Sequence, residues 1–281
     1  MAPDPTALHA DWLGASRRAA TGLRGVFADH PTTDDRSVEV GIGGGGDRSL
    51  IIDRDAEAIV FAELEALRAQ GHRFCAVSEE RGEVDFGSPD VRVIIDPIDG
   101  SLNAKRDVGH HSLSIAVADG PTMADVVFGY VFDFGPQEEW TATRGAGARL
   151  DGATLDPAAP ERRDAAGKLE ILGIEQADPR WVAESIDELV AVAHRLRAVG
   201  SIAISLCQVA AARFDGVASL RKCRSFDAAA AQLIVREAGG VVAFPAYDDP
   251  LGAPLDLLPH SPVLAARTAR GLADLAGVAR G

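Results

Sequence analysis

The sequence has few cysteines and few aromatic residues. Only three of its 281 residues are cysteines (Cys75, Cys207 and Cys223), and no two of them form a Cys-x-x-Cys pair. An odd number of scattered cysteines argues against a disulfide framework and a zinc site, and is typical of a reducing compartment. Aromatic residues make up 5% of the chain and its three tryptophans lie far apart. We therefore expect no aromatic platform for stacking nucleic-acid bases.

The sequence is also poor in positive charge and in long apolar runs. It has 28 Lys and Arg against 42 Asp and Glu, a net charge of −14, which disfavours a nucleic-acid partner. Its longest weakly polar run, residues 198–212, is shorter than the ~20 residues that span a membrane. The first residues carry Asp4 and Asp11 in place of the basic and apolar regions of a signal peptide. We therefore expect a soluble, cytoplasmic protein with no membrane partner.

What is present is the composition of a folded globular protein, with 47% hydrophobic and 25% charged residues. Apolar residues at helical spacing and short β-branched runs predict alternating helices and strands. The predicted helices cover residues 8–27, 53–71, 182–196, 202–214 and 227–238. The predicted strands cover residues 74–77, 91–95, 113–118, 126–132, 139–143, 169–173 and 216–220, and residues 28–52 are predicted to be a loop.

The length fits one large domain or two modest ones. Residues 156–167 are rich in proline, alanine and charge, and form the best candidate linker. We predict an α+β domain over residues 1–156, and an α/β domain over residues 157–281 that completes the site. The overall class is thus between α+β and α/β.

The strongest chemical signal lies where a strand ends in two carboxylates, Asp96 and Asp99, followed by Gly100 and Ser101. Pro97 fixes φ and lacks a donor, so we expect the chain to leave the sheet there. Two carboxylates this close repel each other unless a cation lies between them, and hard oxygen ligands suit Mg²⁺. The N–H groups of Gly100 and Ser101 would face an anion if they open a helix.

Two further acidic segments strengthen this interpretation. Ser78-Glu79-Glu80 follows another apolar strand and would bring a third carboxylate to the sheet edge. Asp227 begins an alanine-rich helix whose small residues favour close packing. Taken alone, Asp227 fits a helix cap better than a metal ligand.

These three segments resemble, in the same order, the signature motifs of the inositol monophosphatase family. The motifs are D-P-[IL]-D-G-[TS] at residues 96–101, G-E-E at residues 78–80 and W-D…E-A-G-G at residues 226–240. The chain departs from them at Ser78, Ser101 and Phe226, which stand for the commoner Gly, Thr and Trp. The resemblance extends weakly over residues 47–240.

The resemblance implies a layered αβαβα sandwich of the metal-dependent sugar phosphatases, usually a homodimer. It implies a Mg²⁺-dependent phosphatase in which metal-activated water attacks a small phosphate ester directly in line, with two or three Mg²⁺ per site. The implied metal ligands are Glu79, Asp96, the Ile98 carbonyl, Asp99 and Asp227. The implied catalytic residues are Asp53 and Ser101, which orient the attacking water, together with Glu79.

The substrate region departs from the inositol phosphatases. Around Leu220, where they carry a sugar-binding Glu, this chain reads Leu-Arg-Lys-Cys-Arg. Asn103-Ala104 and the Arg-x-x-Gly-Ser segment at 197–201 resemble the archaeal-type enzymes that act on both fructose 1,6-bisphosphate and inositol phosphate. Clustered arginines suit a second phosphate. The expected substrate-binding residues are Asp99, Gly100, Ser101, Arg197, Gly200, Ser201, Ile202 and Arg221.

Other functions stay open at this point. Within the same class, the substrate could be histidinol phosphate or 3′-phosphoadenosine 5′-phosphate. In another class, the chain would be a non-catalytic regulatory scaffold that keeps the fold. The glycine run 41–46 lacks the directly following helix of a dinucleotide site, so we interpret it as a flap over the metal site. His110 and His111 are interpreted as structural residues.

Overall fold

The computed structural model describes residues 5–44, 46 and 48–278, so that Asp4 and residues 279–281 lie outside it. The helices are α1 (Pro5–Leu8), α2 (Trp12–Asp29), α3 (Thr33–Arg36), α4 (Ile51–Ala69), α5 (Ser101–Lys105), α6 (Pro179–Glu184), α7 (Ile186–Val192), α8 (Ile202–Ala210), α9 (Ser225–Glu237) and α10 (Ala269–Leu275). A 3-10 turn covers Met123–Asp125. Within the described ranges, no helix combines the length and the apolar character needed to cross a membrane.

The strands form three sheets. They are β1 (Glu39–Ile42), β2 (Arg48–Leu50), β3 (Cys75–Ser78), β4 (Gly82–Asp85), β5 (Arg92–Asp99), β6 (Ser112–Ala118), β7 (Val126–Asp133), β8 (Glu138–Thr143), β9 (Ala148–Leu150), β10 (Ala153–Thr154), β11 (Leu169–Glu175), β12 (Ala193–Arg197), β13 (Gly216–Ser219), β14 (Val241–Ala243) and β15 (Leu264–Ala266). β1 and β2 form a hairpin. The large sheet has the order β10-β9-β8-β7-β6-β5-β3-β4, and the smaller one β12-β11-β13-β15-β14. The large sheet is antiparallel except where β3 pairs with β5, whereas β11 is parallel to both of its neighbours.

Three apolar clusters define a five-layer αβαβα arrangement. The first joins α2 and α4 to one face of the large sheet, with Val93, Ile95 and Val117 pointing into it. The second holds α8 and α9 between the two sheets, against Ile94 of β5 and Val217 of β13. The third lies on the outer face of the small sheet with residues of α7 and α10. Alternate residues of β5 thus point to opposite faces, as the strand period of two requires.

Most predicted elements are confirmed, but four differ from the structure. The helix predicted over residues 8–27 is broken after Leu8 and resumes at Trp12. The helix predicted over residues 182–196 is interrupted at Ser185, and Ala193–Arg197 form the edge strand β12 beside β11. Its charged side chains suit a sheet edge, and this long-range pairing overrides the local helical pattern. The loop predicted over residues 28–52 contains α3 and the β1–β2 hairpin. The helix predicted to reach residue 214 ends at Ala210.

The chain does not leave the sheet at Pro97, contrary to our expectation. β5 continues to Asp99, and its register against β6 shifts between Asp96, which pairs with Ser114, and Asp99, which pairs with Ser112. Three residue steps on β5 therefore oppose two on β6, which is a β-bulge. A bulge accommodates a residue that has no N–H to donate, and it redirects neighbouring side chains.

The domain boundary at residues 156/157 stays a prediction. The predicted linker falls between β10 and β11. The central apolar cluster contains residues from both sides of it, including Trp140 of β8 and Leu206 of α8. Packing is therefore continuous between the two sheets.

Helix α9 packs closely on the large sheet because both surfaces carry small residues. Four alanines, residues 228–231, follow one another on α9, and Gly129 of β7 lies beneath Ala230. A Cβ at Gly129 would stand 2.6 Å from the Ala230 carbonyl oxygen and 3.2 Å from its carbonyl carbon. These atoms belong to backbone, so they cannot rotate out of the way.

Strand β11 ends in a buried glutamate that holds the segment before α8. The Glu175 carboxylate accepts hydrogen bonds from the Val199 N–H (3.1 Å), the Gly200 N–H (3.1 Å) and the Ser205 hydroxyl (2.5 Å). Burial raises the pKa of Glu175 from its ordinary value of 4.5 to about 7, against the opposing effect of these hydrogen bonds. The carboxylate thus fixes the loop that leads into α8.

We expect Gly129→Ala to lower the free energy of unfolding by about 1–3 kcal/mol, because the added methyl forces α9 away from β7. Gly25→Ala is the matched control, since Gly25 lies exposed in α2 with no atom near its Cβ position. Better helix propensity there should stabilise the protein by about 0.5–1 kcal/mol. Chemical denaturation of both variants tests this, and equal effects of the two substitutions would contradict the packing argument.

A second prediction concerns pH. Because the pKa of Glu175 is raised in the folded state to about 7, its contribution to stability is complete below pH 4.5 and is lost as the pH rises through 7. Glu175→Gln removes this loss, so its stability relative to wild type should improve by about 3 kcal/mol between pH 4.5 and 7.5. Glu170→Gln, an exposed position on the same strand, should track wild type in denaturation experiments across that range. Parallel pH curves for Glu175→Gln and wild type would refute the assignment.

Candidate functional site

The site is built around the bulge that ends β5. Asp96 Oδ1 accepts the Ile98 N–H at 3.0 Å, which closes the turn across Pro97. The Ile98 carbonyl accepts the Ser101 hydroxyl at 2.9 Å. Gly100 follows with φ +90°, a conformation that favours glycine, and it caps helix α5. Gly100 and Ser101 therefore stand at the start of a helix.

Asp99 is held from the other half of the chain. Its Oδ2 accepts the Ser201 hydroxyl at 2.5 Å and the Ala203 N–H at 2.8 Å. Burial raises the pKa of Asp99 to about 7, although these two hydrogen bonds favour the charged form. The start of α8 therefore fixes the orientation of this carboxylate.

Glu79 and Asp227 approach Asp96 from two other elements. Glu79 directly follows β3, and Asp227 lies in the first turn of α9, where it accepts the Arg224 N–H at 2.8 Å. Burial raises the pKa of Asp96 well above its usual range. The negative charges of Glu79, Asp99 and Asp227 add to this rise, and the positive charge of Arg224 opposes it. Glu79, Asp99 and Asp227 are therefore close enough to Asp96 for their charges to repel it.

Asp53 lies in the first turn of α4, close to the same acids. Its Oδ2 accepts the Leu50 N–H at 3.1 Å, whereas its Oδ1 is buried and has no hydrogen-bond partner among the described residues. Burial raises the pKa of Asp53 to about 7, and the charges of Glu80 and Glu79 contribute to this. One oxygen of Asp53 is thus left without a protein donor among the described residues.

The donor set fits a hard divalent cation, because it consists of carboxylates and one carbonyl. The buried, unpartnered Asp53 Oδ1 and the mutual repulsion around Asp96 both call for a positive charge. The side chains are nevertheless not arranged as a finished metal centre. Across the described chain, no three His, Cys, Asp or Glu side chains form a ready-made cluster.

A cavity of about 410 Å³ opens beside these acids. Its walls come from the ends of β5, β11 and β12, and from the starts of α8 and α9. The lining residues are Asp99, Asn103, Glu175, Gln176, Ala177, Ala198, Val199, Gly200, Ile202, Arg224 and Asp227.

The expected substrate residues are only partly brought together. Gly200 and Ile202 line this cavity, while Ser201 lies behind it on Asp99. Arg197 instead lines a neighbouring cavity of about 460 Å³ that shares the wall residues 198 and 199. Arg221 pairs with Glu184 and is not among the described residues that line the 410 Å³ cavity.

Two site residues were not assigned a role from the sequence, namely Glu175 and Arg224. In the sequence, Glu175 follows an apolar run as Asp96 does, so that pattern was an available signal. Arg224 belongs to the Leu-Arg-Lys-Cys-Arg segment, but its pairing with Glu79 had no local signal, because the two residues are 145 positions apart.

The two histidines and the glycine run, which we did not assign to the site, also have identifiable contacts in the structure. His110 Nδ1 lies 2.9 Å from Asp133 Oδ2, and His111 packs against Phe134. In the described part of the glycine run, the Gly44 N–H donates to the Glu80 carbonyl at 2.7 Å. The β1–β2 hairpin therefore contacts the acidic segment after β3, whereas its role as a flap stays a prediction.

Comparisons with known proteins agree with this architecture. The model of the inositol monophosphatase family matches residues 13–278. A fructose-1,6-bisphosphatase/inositol-1-monophosphatase of Methanothermobacter thermautotrophicus is 30% identical over 242 residues, covering 82% of this chain and 83% of the relative. The Nus factor SuhB of Escherichia coli K12 is 33% identical over 235 residues, covering 82% and 84%.

Solved structures show the same fold. An inositol monophosphatase-fructose 1,6-bisphosphatase superposes with a TM-score of 0.81 at 23% identity, covering 95% of this chain and 99% of the other. The extragenic suppressor protein SuhB of Bartonella henselae gives a TM-score of 0.77 at 24% identity, covering 96% and 98%. The expected layered fold is thereby confirmed. With the family model matched over nearly the whole chain, this protein belongs to the inositol monophosphatase family and is a metal-dependent phosphoric monoester hydrolase.

Proposed function

We propose that this phosphatase hydrolyses a phosphate monoester of a small sugar or polyol, with fructose 1,6-bisphosphate and inositol monophosphate as the favoured substrates. The observation that carries the proposal is the set of mutually repelling buried acids beside the 410 Å³ cavity. Acids in this arrangement repel a phosphate unless a cation inverts the local field. The site therefore suits a substrate that arrives with, or after, a divalent cation.

In this proposal Glu79, Asp96, Asp99, Asp227 and the Ile98 carbonyl hold Mg²⁺. Bound Mg²⁺ supplies Lewis-acid charge and lowers the pKa of water. The chain's own contribution is to orient the ligands. Asp99 is oriented by two donors from the start of α8, and Asp227 by the backbone ahead of α9.

Asp53 and Ser101 orient the attacking water in this proposal. Asp53 Oδ1 is buried and has no protein donor among the described residues. Burial also raises the pKa of the Asp53 carboxyl to about 7. It is therefore suited to accept a hydrogen bond from water and to hold a proton near neutral pH. The Ser101 hydroxyl, which donates to the Ile98 carbonyl, keeps a lone pair for a second contact.

Substrate binding is assigned to the loop that Glu175 holds and to nearby positive charge. Gly200 and Ile202 line the cavity beside Asp99, and we place the organic part of the ester there. Arg221 is paired with the half-exposed Glu184, and a pair at the surface is weak enough to open for a second phosphate. Arg197 faces the adjoining cavity and would contact a longer substrate.

The remaining expectations are part of the same proposal. They are two or three Mg²⁺ per active site, a homodimer, a cytoplasmic location and no nucleic-acid partner. Histidinol phosphate and 3′-phosphoadenosine 5′-phosphate are the rival substrates within the class. A regulatory scaffold is the rival of another class, and it is favoured by the relatives named Nus factor SuhB. All five proposed ligands are present here, which supports catalysis.

We expect Mg²⁺-dependent release of phosphate from a panel of these esters, and its loss in Asp96→Asn by more than about 100-fold. The reason is that Asp96 is the proposed ligand on which the charges of Glu79, Asp99 and Asp227 act. Loss of even an outer-shell partner of a metal lowers affinity or activity by up to about 100-fold. Phosphate release with and without a chelator measures this. Asp29→Asn, an exposed position at the end of α2, is the matched control. Full activity of Asp96→Asn would refute the metal assignment, and an inactive wild type would favour the scaffold.

We expect the bisphosphate to be hydrolysed faster than inositol 1-phosphate. Arg221→Ala should raise the KM for fructose 1,6-bisphosphate about tenfold, the value of one charged hydrogen bond, and change that for the inositol ester little. Arg18→Ala removes an arginine that is paired with Glu63 away from the cavity, and it should leave both constants unchanged. The preference is wrong if the inositol ester is turned over equally well or better and Arg221→Ala has no effect.

A further inference from the structure

Arg224 brings a positive charge into the acidic site from the segment before α9. Its Nη2 donates to Glu79 Oε1 at 2.8 Å and lies 3.9 Å from Asp227 Oδ1. Its backbone N–H donates to Asp227 Oδ2 at 2.8 Å, so the residue is tied to Asp227 at two points. The guanidinium also lies 4.5 Å from the centre of the Phe226 ring, a cation–π contact that helps to hold it in place.

This arrangement is mostly shielded from solvent. The side chains of Arg224, Glu79 and Asp227 are 21%, 16% and 11% exposed. Charge–charge interactions are stronger in such surroundings than at an open surface. The guanidinium therefore offsets a substantial part of the repulsion among the acids.

The oxygens that Arg224 approaches belong to two of the proposed metal ligands. A carboxylate oxygen that accepts a guanidinium N–H at 2.8 Å does not have the same lone pair available for a cation. Arg224 lines the 410 Å³ cavity as well, so its side chain has space beside it to move into.

We propose that Arg224 is an internal cation that competes with the divalent metal for Glu79 and Asp227, and that its guanidinium leaves Glu79 when the metal binds. This inference rests on the ligand assignment of the proposed function. It predicts that Arg224 weakens metal binding, while stabilising the fold as long as no metal is bound.

The test is a titration of metal-stripped full-length protein with Mn²⁺, in the absence of substrate, followed by the electron paramagnetic resonance signal of free Mn²⁺. Mn²⁺ suits the same carboxylate and carbonyl ligands as Mg²⁺. Arg224→Gln should lower the Kd for Mn²⁺ about tenfold, the value of one charge-assisted hydrogen bond. Its Tm without metal should fall, and saturating Mn²⁺ should restore it.

Arg213→Gln is the matched control. Arg213 also pairs with a glutamate, Glu138, and lies 5.4 Å from an aromatic ring centre, that of Trp140. It is not among the described residues that line the 410 Å³ cavity. Its Kd for Mn²⁺ should equal that of wild type. An unchanged or higher Kd for Mn²⁺ in folded Arg224→Gln would overturn the proposal, and Arg224 would then have a structural role only.

Asp96→Asn in the same titration separates this proposal from the proposed function. Unchanged Mn²⁺ binding in Asp96→Asn would refute the ligand assignment itself. Lost binding in Asp96→Asn without a gain in Arg224→Gln would refute the competition alone.

A measurement on wild type covers the case in which Arg224→Gln does not fold. The Arg224 Nη–H signals, assigned by their loss in Arg224→Lys, are followed in ¹H–¹⁵N spectra of arginine-labelled protein, because Nη2 is the donor to Glu79. Addition of Mg²⁺ should speed their exchange with water by about tenfold or more, because the charged hydrogen bond to Glu79 is broken. Unchanged signals at saturating Mg²⁺ would overturn the proposal.

Discussion

The constraint on which this site depends is the repulsion among acids that the fold buries together. Asp96 is 2% exposed and shares its field with Glu79, Asp99 and Asp227. Burying charges of one sign is expensive unless an opposite charge or several donors compensate. The surrounding structure supplies donors at Asp99 and a guanidinium between Glu79 and Asp227. In the proposed function, the negative charge that these groups leave uncompensated favours binding of a cation.

This constraint changes the meaning of the net charge. A chain of charge −14 is expected to repel small anions, since its overall field is negative. The acids of the site are a small part of the total, and they are concentrated at one cavity. Their local field, once inverted by a cation, decides what the cavity binds. Net charge therefore predicts the excluded partners better than the substrate.

Much of the fold could be predicted from local patterns, because apolar periodicity reports which face of an element is buried. The helix expected over 182–196 failed because pairing with β11, which no local pattern encodes, takes Ala193–Arg197 into a sheet. The expectation that the chain leaves the sheet at Pro97 failed for a related reason. Proline is incompatible with a regular ladder, but the sheet accommodates it by shifting register. In both cases the local sequence pattern was interpreted correctly, but the long-range strand pairing could not be predicted from it.

The residues of the candidate site also fall into two groups: those that the sequence singles out and those that only the fold reveals. Asp96 and Asp99 are close in sequence and carry a recognisable motif, so the sequence is sufficient to single them out. Glu175 and Arg224 matter through contacts with residues distant in the chain, and such contacts require the fold. Arg221 and Arg197, in contrast, have the right chemistry in the sequence but are turned toward Glu184 and a neighbouring cavity.

The hydrogen bond from Ser201 to Asp99 has a consequence for how the protein is made. Asp53, Glu79, Asp96 and Asp99 are all synthesised before residue 100, whereas Ser201 and Arg224 follow more than a hundred residues later. At about 5–20 residues per second, the ribosome leaves these four acids without their later partners for several seconds. During that interval the strands that carry them have no compensating groups from α8 and α9. The early half of the chain is therefore expected to keep its acids solvated, and to close its site only when the second half arrives.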